Sequence, residues 1–178
     1  AQSGHDENVS FEAVAGRVLL AVGVTPRYAD LGRELVVDAH ADGGPLAGLC
    51  AGLAAARTEW IAVLACDMPR AEASCLVRLL DEAVAHDADV CLLEIERGTQ
   101  PTFGVYRRTC LAAVASALDA GERRMDSFHA RAVDGRALRV MAIALGADAQ
   151  DAALNVNTPT ELEAERARAA THQGGSQR

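Results

Sequence analysis

The sequence predicts an α/β fold, a three-layer sandwich around a mostly parallel, Rossmann-like sheet. Short apolar runs alternate along the chain with segments of helical periodicity, which is typical of a sheet covered by helices on both faces. The run at residues 60–65, W-I-A-V-L-A, is unbroken and apolar, so we expect it to be a central parallel strand. The 178 residues are 50% hydrophobic and 3% aromatic, which suits one well-buried domain with few large rings in its core.

The strands are predicted from short runs rich in Val, Leu and Ile. In chain order they occupy residues 17–24, 34–37, 60–65, 89–95, 101–106 and 138–145. The polar residues 96–100 are predicted to form a loop, and residues 154–158 a short extended segment.

The helices are predicted where apolar residues recur every three to four positions. They occupy residues 46–57, 72–86 and 110–120, a short stretch near 125–130, and residues 159–170. Pro45 suits the first turn of the first helix, Gly121 ends the third, and Thr158 is expected to cap the last. The chain is thus predicted to be one domain at 11–170, with a flexible lead at 1–10 and a polar tail at 171–178.

Composition and charge exclude several classes of function. The formal net charge is −8, every basic residue is Arg, and there is no basic patch, so we expect neither nucleic acid nor a membrane surface as a partner. The sequence contains no run of about 18 uncharged apolar residues, which is the length that a membrane-spanning helix needs. The five cysteines form no C-x-x-C pair, and we see no signal peptide, which together predict a reducing, cytoplasmic location.

Two aspartates follow predicted strands. Open α/β sheets bind ligands beyond the carboxyl ends of their strands, and Asp38 and Asp67 both occupy that kind of place. A carboxylate at the lip of the sheet can hold Mg²⁺, whose shell substrate phosphates then complete. Asp67 fits equally well as a turn or cap residue before Pro69.

Three further groups could contact an anionic ligand. Gly44 and Pro45 open a helix whose free N–H groups favour anions, although an ordinary strand-to-helix turn explains them as well. Asn155 and Asn157 alternate along an extended segment and could aim two amides at one ligand, or could be turn residues. Beyond Gly121, Arg123 and Arg124 could clamp a phosphate or form a solvated charge run.

These motifs, taken in order, resemble the molybdenum cofactor guanylyltransferases. The matching segments are G-P-L-A-G at 44–48, C-D-M-P at 66–69, Q-P-T-F-G-V-Y at 100–106, A-G-E-R-R at 120–124 and N-V-N-T-P at 155–159. Each is weak alone, but five in the right order are fairly specific. The resemblance extends from about Val18 to Glu165.

The resemblance implies the nucleotide-diphospho-sugar transferase type of fold and a nucleotidyl transfer. GMP would pass from GTP to the molybdopterin form of the molybdenum cofactor, with Mg²⁺ as cofactor and pyrophosphate as product. Asp67 would be the catalytic metal ligand, and Asp38, Gly44 and Pro45 would lie in the nucleotide site. Asn155, Asn157, Arg123 and Arg124 would lie on the pterin side. Molybdoenzymes or other cofactor-biosynthesis proteins would be the protein partners.

One part of the family pattern is not in this sequence. The family opens with a strand and a Gly-rich loop, L-A-G-G, followed by an Arg-Met-Gly-type stretch and a Lys. The residues before Arg17 contain no Gly pair, and the chain contains no Lys. We therefore expect this polypeptide to bind GTP weakly, not to catalyse transfer alone, and to associate through unpaired strand edges.

Two alternatives stay open at this point. One is a catalytically inactive relative that binds the pterin cofactor or a partner protein. The other is a nucleotidyltransferase of the same fold that acts as a cytidylyl or sugar-phosphate enzyme.

Overall fold

A computed structural model describes residues 10–25, 28–40 and 42–174. Its helices are α1 (Phe11–Ala15), α2 (Gly44–Ala55), α3 (Ala73–Ala85), α4 (Leu111–Asp119), α5 (Ala147–Ala152) and α6 (Pro159–Gly174). Its strands are β1 (Leu19–Ala21), β2 (Glu34–Val36), β3 (Trp60–Leu64), β4 (Val90–Ile95), β5 (Gly98–Arg107), β6 (Ala132–Val133), β7 (Arg136–Ala137) and β8 (Val140–Ile143).

The main sheet has four strands in the order β3-β5-β4-β8. Strand β5 runs antiparallel to both of its neighbours, and β4 and β8 are parallel, so β3, β4 and β8 point the same way. Strands β1 and β2 form a separate parallel pair, and β6 and β7 a short hairpin. Among the described residues, β1 and β3 therefore each have one hydrogen-bonded neighbour.

Two apolar clusters lie on opposite faces of the sheet, which makes the domain three-layered. Because successive side chains of a strand point to opposite faces, Val90 and Leu92 of β4 pack against α2 and α4. The alternating residues Cys91 and Leu93 pack against α3 and the residues of α5. The three-layer α/β prediction is confirmed, with one strand reversed.

The strand at Trp60–Leu64 exists, but its predicted position was wrong. It is an edge strand of the four-stranded sheet and pairs antiparallel with β5, from Trp60 opposite Arg107 to Leu64 opposite Phe103. Four of its five side chains are half-buried and one is exposed, whereas the first four side chains of β4 are fully buried. An apolar run predicts a strand, but it carries no information about the neighbours of that strand.

Other boundaries differ from the expectation. The predicted loop at 96–100 is a tight turn, because β5 begins at Gly98, where φ of 108° suits glycine. The stretch 125–130 forms turns rather than a helix. Helix α1, helix α5 and the β6–β7 hairpin were not predicted.

The predicted lead at 1–10 and the predicted tail at 171–178 both lie partly outside the described residues. At the amino end, Ser10 caps α1, since its hydroxyl oxygen accepts the Ala13 N–H at 3.3 Å, and residues 1–9 lie outside. At the other end, α6 continues to Gly174, past the predicted start of the tail, and residues 175–178 lie outside.

Candidate functional site

Asp67 lies in the turn that follows β3 and is bonded to the segment that holds Asn155. The Asn155 side-chain amide donates to Asp67 Oδ2 at 3.2 Å, and the Val156 N–H donates to the Asp67 carbonyl oxygen at 2.7 Å. The other carboxylate oxygen, Oδ1, is buried and has no hydrogen-bond partner among the described residues. A buried carboxylate oxygen without a partner is costly, and a cation is one way to satisfy it.

Asp38 follows β2 in the same way. Its backbone N–H donates to the Gly23 carbonyl oxygen at 2.9 Å, which fixes the residue beside the end of β1. Its Oδ1 is also buried without a partner among the described residues. Burial raises the pKa of the Asp38 carboxyl above its ordinary value, and the nearby His40 opposes that rise.

Helix α2 connects β2 to β3, so its amino terminus follows the carboxyl end of β2. Gly43 and Gly44 open it, and Pro45 occupies its first turn as predicted. A Cβ at Gly43 would lie 2.4 Å from the Ala47 Cβ, which leaves room only for glycine. Asp38 and Gly44 thus both lie beyond the carboxyl end of β2, where the free N–H groups of α2 favour an anion.

The loop with the two predicted arginines approaches this end by its backbone. A Cβ at Gly44 would lie 3.9 Å from the Arg123 carbonyl oxygen, so that loop lies against the start of α2. The Arg123 guanidinium donates to the carbonyl oxygens of Leu118 and Glu122, at 3.2 and 2.8 Å. Arg124 is exposed and pairs in two hydrogen bonds with Asp126.

The described contacts of Asn157 are made by its backbone. The Asn157 N–H and the Thr158 N–H both donate to Glu161 Oε2 at 2.9 Å, and the Glu161 N–H donates to Thr158 Oγ1 at 3.2 Å. This is a reciprocal capping box, so the predicted cap at Thr158 is confirmed. The described contacts bring Asn155, but not Asn157, to Asp67.

Sequence reasoning did not single out Glu161, Arg70 or Glu165, which brace this site. The T-x-x-E spacing from Thr158 was a signal that could have identified Glu161. No sequence pattern links Arg70 to Glu165, which is 95 residues away along the chain and accepts two of its hydrogen bonds.

The residues present fit a Mg²⁺ ion that receives only part of its shell from protein. The described part of the chain contains no cluster of three or more His, Cys, Asp or Glu side chains able to hold a metal. Mg²⁺ commonly takes one or two carboxylates and completes its octahedron with water and substrate phosphates. The buried Asp67 Oδ1, which has no hydrogen-bond partner among the described residues, suits that arrangement.

Comparison with known proteins shows which family the chain belongs to. The model of the MobA-like NTP transferase domain matches residues 10–136, more than half of the sequence. The chain belongs to this family. The chain is similar to the molybdenum cofactor guanylyltransferase of Burkholderia ambifaria, with 39% identity over 115 residues, covering 59% of this chain and 56% of the relative. The chain thus spans about half the length of the curated relatives it matches.

Two solved structures share the fold. The molybdopterin-guanine dinucleotide biosynthesis protein A of Archaeoglobus fulgidus has a TM-score of 0.70 at 19% identity, over 86% of this chain and 78% of that one. The 2-C-methyl-D-erythritol 4-phosphate cytidylyltransferase of Thermus thermophilus has a TM-score of 0.62 at 16% identity, over 95% and 92%. At such identities the likeness shows the fold alone, and it supports the nucleotide-diphospho-sugar transferase type. Within the described part of the chain, no helix combines the length and the hydrophobicity needed to cross a membrane.

Proposed function

We propose that this chain is part of a nucleotidyltransferase of molybdenum cofactor biosynthesis, and that the enzyme to which it belongs transfers GMP from GTP to the molybdopterin-bound cofactor and releases pyrophosphate. The observation that carries the proposal is the turn after β3. There one oxygen of the Asp67 carboxylate accepts a hydrogen bond from the Asn155 side-chain amide, and the other is buried without a partner in the described part of the chain. The family assignment and the names of the curated relatives support the reaction.

The chain's own residues bind and orient the two substrates in this proposal. The N–H groups that begin α2, at Gly44 and beyond, attract the triphosphate, and Asp38 lies on the nucleotide side. Asn155 fixes the rotamer of Asp67 by its hydrogen bond. The loop with Arg123 and Arg124 lies on the pterin side, where either guanidinium could leave its present partners for a phosphate.

Mg²⁺ held by Asp67 would supply the positive charge that phosphoryl transfer needs as pyrophosphate leaves. The α2 terminus acts on the same charge without a proton transfer, because its N–H dipoles are fixed before the substrate arrives.

The experiment that tests the reaction is transfer of labelled GMP to molybdopterin, with CTP as the competing donor. It uses this polypeptide and an otherwise identical chain preceded by the amino-terminal residues of the Burkholderia ambifaria relative. Because this sequence holds no Gly-rich loop and no Lys, we expect transfer by the extended chain and none detectable by the shorter one. Equal rates would refute the argument about the loop.

The same assay separates the alternatives. Preference for CTP would favour a cytidylyl enzyme. Binding of the pterin cofactor without transfer by either chain would favour an inactive relative. The two substitutions Asp67→Asn and Asp81→Asn are compared in the extended chain. Asp81→Asn removes an equal charge from an exposed position on α3. Loss of transfer from GTP in Asp67→Asn, together with normal transfer in Asp81→Asn, would support the proposal.

A further inference from the structure

Helix α6 presents an unusual surface to the rest of the domain. All of its described side chains from Pro159 to Thr171 are exposed except Glu165, whose side chain is 13% exposed. A helix on the surface of a domain normally docks by an apolar stripe. Here the side chain that turns inward is a carboxylate.

Glu165 is hydrogen-bonded to Arg70, in the turn that follows Asp67, and Arg168 Nη1 on its own helix lies 3.8 Å from its Oε2. Arg70 Nε donates to Glu165 Oε2 at 2.9 Å, and its Nη2 donates to Oε1, so the contact is bidentate. Its remaining nitrogen, Nη1, lies 3.7 Å from Asp151 Oδ1. The Arg70 side chain is itself only 20% exposed. A planar guanidinium bonded twice to one carboxylate fixes both the distance and the relative orientation of the two side chains, whereas an exposed apolar contact fixes neither.

These contacts close a ring around the Asp67 turn. Arg70 holds α6 through Glu165, and α6 holds the preceding segment through Glu161, whose carboxylate accepts the Asn157 N–H. That segment returns to the turn at Asp67, which accepts bonds from the Asn155 side chain and the Val156 N–H. Asn155 is itself exposed and lies in no helix or strand. Its position therefore depends on how the two ends of its segment are held.

We propose that Arg70 and Glu165 are positioning residues: by docking α6 they hold the Asn155 amide on the Asp67 carboxylate and so orient the free oxygen of that carboxylate. The consequence for metal binding rests on the proposed function, whereas the consequence for the Asn155 hydrogen bond does not. Groups that orient a metal ligand typically change metal affinity 10- to 100-fold when removed.

The test uses Glu165→Gln, which keeps the shape of the side chain, and Arg70→Met, which keeps most of its stem. Glu34→Gln is the matched control, because Glu34 accepts a similar bidentate pair from Arg17 at a different place in the fold. The first readout is hydrogen exchange of the Asn155 side-chain amide and the Val156 N–H by NMR. Leu92 in β4 reports global stability in the same spectra. The second readout is Mn²⁺ affinity by electron paramagnetic resonance, with Asp67→Asn as reference.

We expect Arg70→Met and Glu165→Gln to speed exchange at Asn155 and Val156 about tenfold, to leave Leu92 unchanged, and to weaken Mn²⁺ binding about tenfold. Glu34→Gln should change none of these. The swapped pair Arg70→Glu with Glu165→Arg should restore part of both effects.

Three results would overturn the proposal. One is unchanged exchange at Asn155 and Val156 in both variants. Another is faster exchange that extends equally to Leu92, since the pair would then serve stability alone. The third is loosened Asn155 with unchanged Asp67-dependent Mn²⁺ affinity. Absence of any Asp67-dependent Mn²⁺ binding in the unmodified chain would instead refute the proposed metal site, and the exchange data alone would then decide on the pair.

Discussion

Replacing Gly104 with alanine tests the packing of the main sheet. Gly104 lies in β5 opposite Leu92 of β4, next to the register shift between Leu92 and Leu93. A Cβ at this position would lie 2.7 Å from Leu92 Cδ2 and 2.9 Å from the Cys91 carbonyl oxygen. The leucine methyl group can rotate away, but the carbonyl belongs to a strand hydrogen-bonded on both sides. The new methyl group must therefore displace backbone.

The expected cost follows from overpacking, which destabilises a core by about 1–3 kcal/mol. With a melting shift of about 2–4 °C per kcal/mol for a chain of this size, 2 kcal/mol lowers Tm by roughly 4–8 °C. The matched control is Gly52→Ala in the interior of α2, where the new Cβ would lie 3.5 Å from Ile61 Cδ1, an ordinary contact. Alanine there should raise stability by up to about 1 kcal/mol because glycine is a poor helix former.

The assay is urea unfolding followed by circular dichroism, at a protein concentration low enough to avoid association. The same chemical change should lower the free energy of unfolding at position 104 and raise it at position 52. An unchanged or higher stability of Gly104→Ala would refute the packing described for β4 and β5.

Two further predictions concern buried carboxylates. Burial raises the pKa of the Asp38 carboxyl above its ordinary value of about 4. Between these two pKa values the folded state keeps a proton that the unfolded state releases, so the free energy of unfolding should fall as pH rises through this range. Asp38→Asn should remove this slope and melt higher at neutral pH, as thermal melts between pH 4 and 7 would show; equal slopes would contradict it. Asp89 is fully buried and accepts from the Arg136 guanidinium twice at 2.7 Å and from the Arg139 N–H at 2.8 Å, so Asp89→Asn should cost about 2 kcal/mol in urea unfolding. Arg136→Met should cost more, because the buried Asp89 carboxylate then loses both guanidinium hydrogen bonds and keeps the Arg139 N–H and the more distant Arg107 guanidinium at 3.9 Å. In Asp89→Asn, by contrast, the Arg136 side chain is 47% exposed and can be hydrated; the reverse order of costs would count against this reasoning.

Local secondary structure could be predicted from the sequence, but the pairing of strands in the sheet could not. Residues 60–65 were recognised as a strand because an apolar run is a local signal, yet the antiparallel neighbour Phe103–Arg107 depends on a hairpin that starts 30 residues later. The turn at Glu96–Arg97 is so short that a polar stretch was mistaken for a loop. The stretch around Met125 and Phe128 has helical spacing of buried residues but forms turns anchored in the core.

The candidate site shows the same division. Asp67 and Asn155 are 88 residues apart, and the resemblance to a family identified both before their hydrogen bond was seen. Arg70 and Glu165 match no motif, and a charged residue in an exposed helix normally indicates a solvated surface. Their pairing depends on where α6 docks, which no local pattern determines.

The most direct test of the central claim is a calorimetric titration of GTP into this chain, with and without Mg²⁺, compared with Asp67→Asn and Asp81→Asn. Without Mg²⁺, removing the Asp67 charge should leave GTP binding equal or slightly tighter, since a carboxylate repels the triphosphate. With Mg²⁺, the same substitution should weaken binding clearly, and Asp81→Asn should behave as the unmodified chain under both conditions. A Mg²⁺ effect of equal size in the unmodified chain and in Asp67→Asn would contradict the assignment of Asp67 as the metal ligand.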